Sequence, residues 1–101
     1  MTADLALRAL AHPARRRMLR LAWDTERTSG ELAAAAGMSR PATSQHLKLL
    51  READLVTVRA AGNRRLYRVK ADRIAEVRAM LDAFWGERLD NLIQATEEPR
   101  T

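Results

Sequence analysis

The 101-residue chain contains no cysteine. Disulfides, thiolate catalysis and thiolate metal sites are therefore excluded, and the composition fits the reducing cytoplasm. Imidazole is almost as scarce. His12 and His46 are the whole stock, and a four-ligand zinc site is hard to build from two. No apolar run approaches the roughly 20 residues that a membrane span needs, and the N-terminus lacks the charged, apolar, small-residue order of a signal peptide. There is no glycine-rich phosphate loop. With thiols absent and the histidines isolated, neither catalysis nor a cofactor is expected. Aromatic residues make up only 4%, and much of the 47% hydrophobic share is alanine. One copy of a domain this small builds a thin core, so a second copy is expected to complete it.

What the chain has is positive charge, at a formal +5. It is unevenly spread. Residues 1–37 carry six basic and four acidic side chains, residues 38–70 eight and two, and residues 71–101 four and seven. The middle third is thus net +6 and the last third net −3. A basic segment of this density implies an anionic partner, nucleic acid or a membrane surface. No basic amphipathic helix of the membrane-surface kind is present, which favours nucleic acid. The length suits one domain, and no internal repeat, low-complexity segment or linker divides it.

Local signals predict a helical chain interrupted once by strands. A first helix spans about Ala3 to Ala11, with Leu5, Ala6, Ala9 and Leu10 on one face. His12-Pro13 ends it, because the residue before proline avoids the helical region, and Pro13 suits the first turn of a second helix ending near Trp23-Asp24. Thr28-Ser29-Gly30-Glu31 has the spacing of a capping box. Its short helix stops at Gly37, which takes the left-handed position after a helix without strain. Ser39 caps the next helix, Pro41 is tolerated in its first turn, and it runs to about Ala53 with Thr43, Leu47 and Leu50 buried. Helix, glycine-containing turn, helix is the helix-turn-helix pattern.

The second helix of that pair carries Arg40, Ser44, Gln45 and Lys48 on one face without an acid, the residue types that hydrogen-bond to base edges in a major groove. Ser39 and Pro41 stand at its start and complete the candidate DNA contacts of this segment. His46 lies at the border of stripe and core and suits packing or hydrogen bonding as well as a DNA contact. Leu55-Val56-Thr57-Val58 and Arg64 to Val69 then read as two strands joined at Gly62-Asn63. Arg59, Asn63, Arg64 and Arg65 make this hairpin a basic wing able to lie along phosphates or enter a minor groove. The consecutive Arg15, Arg16 and Arg17 spread over most of a helix circumference, which does not make a single phosphate clamp.

From about Asp72 to Ala95 the helical period resumes, with an apolar stripe of Ile74, Val77, Leu81, Phe84, Trp85, Leu89 and Leu92. A helix of roughly 35 Å is too long for so small a domain to cover. A homodimer packed through these residues and Leu5 of the first helix is expected. Trp23 and Trp85 are read as core and interface residues. The carboxylates of this helix are read as solubilising, not as a metal site.

Several of these blocks resemble one family. His12-Pro13-Ala14-Arg15-Arg16-Arg17-Met18-Leu19 resembles the His-Pro-x-Arg-x-x-Ile-Leu opening of the ArsR-type (arsenic-repressor) winged-helix regulators. Residues 37–53, from Gly37-Met38-Ser39-Arg40-Pro41 through Gln45-His46-Leu47-Lys48 to Ala53, resemble its recognition helix nearly throughout, and Leu55-Val56 to Tyr67 its wing. The resemblance covers about residues 3 to 93. It implies a dimeric bacterial transcriptional repressor on a partly palindromic operator, with Arg15 as a structural partner to a carboxylate. Where many members carry metal-sensing cysteines, this chain has Glu31-Leu32-Ala33-Ala34-Ala35-Ala36. Its last helix holds Asp72, Glu76, Asp82, Glu87 and Asp90 but no histidine. The Phe84-Trp85 pair followed by Arg88-Leu89 resembles a subgroup without a known metal pocket. Asp54 stands where the family usually has glycine, and aspartate tolerates the left-handed conformation better than most residues.

Together these observations predict a mainly α (α+β) winged helix-turn-helix of five helices and a two-stranded β-wing. It forms a single domain over 1–101: first two helices 3–24, helix-turn-helix 28–53, wing 55–69, dimerisation helix 72–95. The expected function is a homodimeric, sequence-specific transcriptional regulator on double-stranded DNA, a repressor, with no metal, cofactor or membrane partner and no assigned small-molecule effector. The rival is a winged-helix adaptor or sequence-blind nucleic-acid binder.

Overall fold

A computed structural model describes residues 2–97. Five helices and three strands follow in the order α1 (Thr2–Leu10), α2 (Pro13–Leu21), β1 (Arg27–Thr28), α3 (Ser29–Ala36), α4 (Arg40–Glu52), β2 (Val56–Ala61), β3 (Arg64–Val69) and α5 (Ala71–Glu97). The winged helix-turn-helix architecture is as expected, with one addition. The wing is part of a three-stranded antiparallel sheet of order β1-β3-β2. Arg27 and Thr28 pair with Tyr67 and Leu66. Two residues carry no readable alternation, and their partner lies some 40 positions away, so only tertiary contact defines this strand.

Each local signal is realised by a hydrogen bond. Thr28 Oγ1 accepts from Glu31 N–H at 3.1 Å, and Thr28 N–H donates to Glu31 Oε1 at 2.9 Å, closing the capping box of α3. Gly37 adopts φ 63°. The amides of Gly37 and Met38 donate to Ala34 and Ala33, which satisfies the last carbonyls of α3. Ser39 Oγ caps α4 by accepting from Ala42 N–H at 3.2 Å. At the other end of α4, Asp54 takes φ 61°, and the amides of Asp54 and Leu55 donate to Arg51 and Leu50. This is the same helix stop that Gly37 makes, built with an aspartate whose carboxylate also accepts from Lys70 Nζ at 2.9 Å.

The core lies where α1 to α4 meet the inner face of the sheet. Ala6, Ala9, Met18, Leu19, Leu32, Leu47, Leu50, Leu55, Tyr67 and Val69 are buried in it, and Thr43 joins them from α4. Small residues on α1 and large ones on α2 to α4 let the helices approach closely. Backbone bonds tie the sheet down: Val69 N–H donates to Ala22 and Lys70 N–H to Leu55. α2 stops at Leu21, and Trp23, expected inside or in an interface, lies beyond it with 42% of its surface exposed.

The first turns of α5 belong to this core. Val77 is only 3% exposed, and Ile74, Leu81 and Leu5 of α1 pack against the same cluster. Of these four residues, all expected on a dimer face, Val77 is covered by the protomer itself, while Leu5, Ile74 and Leu81 are partly exposed. α5 then leaves the domain, and Phe84, Trp85 and Leu92 are 52%, 49% and 61% exposed. The side chain of Leu89, also expected there, lies outside the described residues. No described helix is long and apolar enough to cross a membrane.

Candidate nucleic-acid interface

The pattern of α4 separates two faces. Thr43, Leu47 and Leu50 turn inward, which leaves Arg40, Pro41, Ser44, Gln45 and Lys48 exposed on the opposite side together with Ser39 at the cap. At 100° per residue, Arg40, Ser44 and Lys48 form one row with Gln45 beside it. Ser44, Gln45 and Lys48 border one shallow groove with Leu49 and Glu52. Donors and acceptors are thus presented along about two turns of helix, on a backbone fixed at both ends.

The tip of the wing reaches the start of this row. Gly62, at φ 63°, makes the two-residue turn with Asn63 between Ala61 and Arg64. Asn63, Arg64 and Arg65 line a cleft of about 330 Å³ with Arg40 of α4 and with Thr28, Ser29 and Gly30 at the N-terminus of α3. Gly30 has a specific reason here. A Cβ at this position would lie 3.0 Å from Arg40 Nη2 and 3.5 Å from its Cζ, so the bare glycine lets the guanidinium fold over the helix end.

None of the residues lining the cleft is acidic. Among the described residues, no carboxylate lies within ion-pair distance of Arg40, Arg64 or Arg65. The nearby acid, Glu31, is held by the capping box, and the Thr28 hydrogen bonds keep its carboxyl below the usual range. Arg27 and Arg64 add a smaller pull on that carboxylate, so one acid at the rim faces three guanidinium groups and the positive end of a helix, and positive charge is in excess. An anion lowers the energy of this arrangement, and a phosphate accepts from all of these donors.

Two predicted site residues are placed differently. Arg59 sits three positions before Gly62, opposite Leu66. Its guanidinium is held by Glu26, with Nε 3.0 Å from Oε2 and Nη2 2.7 Å from Oε1. The pair holds the Glu26 carboxyl below, and the Arg59 guanidinium above, its ordinary value. The arginine therefore braces the sheet against the segment before β1, outside the three-arginine cleft. His46 lies on the flank of α4 away from the polar row. It meets Arg15 at 3.1 Å and the ring of His12 at 4.6 Å between centroids. Arg15, which the family pattern paired with a carboxylate, instead donates to the carbonyls of Ala9 and Arg8 at the end of α1 and to His46. Sequence reasoning missed the contribution of Ser29 and Gly30. The capping box did locate the helix end, but not that Arg40 and the wing converge on it.

A helix-turn-helix whose second helix exposes a polar row, with a basic hairpin meeting the start of that row at one cleft, defines a winged helix-turn-helix DNA-binding domain. Comparison with known proteins agrees. Residues 10–59 match the family model described as a helix-turn-helix domain. The chain is 42% identical over 91 residues to the HTH-type transcriptional regulator Rv2034 of Mycobacterium tuberculosis, covering 90% of this chain and 85% of that protein. A crystal structure of a possible transcriptional regulator for arsenical resistance superposes with a TM-score of 0.77 at 43% identity, covering 92% of this chain and 97% of that one. A homodimeric winged helix-turn-helix DNA-binding domain from Mycobacterium bovis, a possible ArsR-family regulator, gives 0.68 at 30% identity, over 87% and 82% of the two chains. The chain belongs to the ArsR-type family of winged helix-turn-helix transcriptional regulators.

Proposed function

We propose that the protein is a homodimeric repressor that recognises a specific operator. α4 enters the major groove with Arg40, Ser44, Gln45 and Lys48 at base edges, while Ser39 and Pro41 bring its first turn against the backbone. Arg64, Arg65 and Asn63 hold the adjacent phosphates from the wing. The observation that carries this reading is the cleft where Arg40, Arg64 and Arg65 converge without an acid. It joins the base-reading element to the phosphate-binding element on one surface.

Two protomers pair through α1 and the far part of α5. Leu7, Met80, Leu81, Phe84 and Trp85 line a mostly apolar groove there. Half-exposed aromatics of this size are the residues that interfaces bury. A two-fold pair sets the two α4 helices into successive major grooves, about 34–36 Å apart. Occupying a promoter in this way represses it.

A mobility-shift assay on the chain's own promoter region, against random duplex at moderate salt, tests the proposal. Specific retention is expected. Equal affinity for both would replace the operator reading with sequence-blind binding.

A further inference from the structure

The scarce histidines are brought together behind the reading face. Arg15 is 7% exposed. Its Nε donates to Ala9 O at 2.8 Å and its Nη2 to Arg8 O at 3.0 Å, both at the C-terminal end of α1. Its remaining arm, Nη1, lies 3.1 Å from His46 Nδ1 on α4. A guanidinium only donates, so Nδ1 of His46 is an acceptor and the ring is neutral with its proton on Nε2. His12 is likewise engaged: its Nδ1 accepts from Ala14 N–H at 3.1 Å and caps α2. The charged and titratable groups acting on His46 are thus His12 at the α1–α2 corner and Arg15 on α2. Among the described residues, no carboxylate and no charged side chain of α4 itself acts on it.

We infer that Arg15 and His46 form a proton-sensitive latch that positions the recognition helix. With His46 neutral, Arg15 ties α4 to the end of α1. A proton on His46 Nδ1 removes the acceptor and sets an imidazolium against the Arg15 guanidinium and beside His12. Arg15 is the positioning residue and touches no DNA. Its other partner, α1, carries Leu7 of the proposed dimer groove, so the latch connects the pairing surface to the reading surface.

Desolvation lowers the His46 pKa from its ordinary 6.5, and His12 and Arg15 push in the same direction. The sign follows from linkage. The unfolded or unlatched ring binds a proton more readily than the latched one. The latch is therefore fully present above the ordinary imidazole value and is lost as pH falls through the lowered one. A histidine that merely touched a phosphate would do the reverse, since its protonation adds a cation and strengthens DNA binding.

The DNA arm of the test rests on the operator reading; a second arm does not. The full chain and His46→Gln, which keeps an acceptor but does not titrate, are compared at about pH 7.5 and about pH 5.5 at constant salt. Duplex affinity is followed by fluorescence anisotropy. Amide exchange of α4, corrected for the intrinsic pH dependence, is followed without DNA. The wild-type chain is expected to lose affinity by about fivefold on acidification and to exchange faster in α4, while His46→Gln changes in neither. Wild-type affinity that is unchanged or rises in acid, or the same loss in His46→Gln, overturns the latch. If no duplex binds at either pH, the operator reading fails, and the exchange arm alone decides. Acid-enhanced exchange confined to the wild type supports the latch, and unchanged exchange refutes it. Should His46→Gln not fold, ring-nitrogen shifts of wild-type His46 decide: an Nε2–H tautomer at neutral pH is expected, and an Nδ1–H tautomer contradicts the latch.

Discussion

On the proposed function, wing arginines that hold phosphates leave a signature in salt dependence, and their surroundings differ. Arg64 and Arg65 line the acid-free cleft, whereas Arg59 is already held by Glu26 through two hydrogen bonds. Each phosphate contact on duplex DNA contributes about −0.9 to the slope of log affinity against log salt. In a two-fold dimer every substitution acts twice, so Arg64→Ala should reduce the magnitude of the slope by about 1.8. Over a fourfold rise in salt, the wild type then loses about twelvefold more affinity than the variant. Arg59→Ala removes a guanidinium whose charge Glu26 already balances, and its slope should stay near wild type. Fluorescence anisotropy across a potassium chloride series on one duplex measures both. An unchanged slope in Arg64→Ala, or an equal reduction in Arg59→Ala, would refute the assignment of the cleft as the phosphate seat.

Three further outcomes follow from packing and backbone geometry. Leu50 is fully buried, and Leu50→Ala should lower unfolding free energy by about 2–5 kcal/mol in urea titration. At Asp54, φ 61° favours glycine, while the ion pair with Lys70 is solvent-exposed and screened. Asp54→Gly should therefore stay within about 1 kcal/mol of wild type, and Asp54→Val should cost more than about 1 kcal/mol, because a β-branched residue resists the left-handed region. Trp85→Glu places a charge in the exposed groove beside Asp4. It should turn the dimer into a monomer in sedimentation while leaving the helical signal unchanged.

What was legible in the sequence was what a few neighbouring residues decide. The Thr28–Glu31 box, the Gly37 stop, the Ser39 cap, the Asp54 turn and the Gly62-Asn63 hairpin each close within a handful of positions, and each forms. The inward set of α4 followed from the helical period, and with it the polar row. Contacts between distant segments were not legible. Arg59 meets Glu26 across 33 positions and Arg15 meets His46 across 31, and nothing in either neighbourhood encodes the meeting. β1 exists only because β3 returns beside it. The apolar stripe of α5 reads as one face, but its first turns serve the protomer, with Val77 buried, and the turns from Met80 onward reach past it. Periodicity shows that a face is apolar; it does not show which surface covers each turn.

On the proposed function, α4 and the wing of two paired chains read one site. Selection of bound duplexes from a randomised pool by the 101-residue chain tests it most directly, with Gln45→Ala run alongside. The expected result is a partly palindromic site with half-site centres about 10–10.5 base pairs apart or a multiple of that. Gln45→Ala should relax one position in each half-site, at about 1–3 kcal/mol. A pool that gains affinity without gaining any common sequence would contradict it.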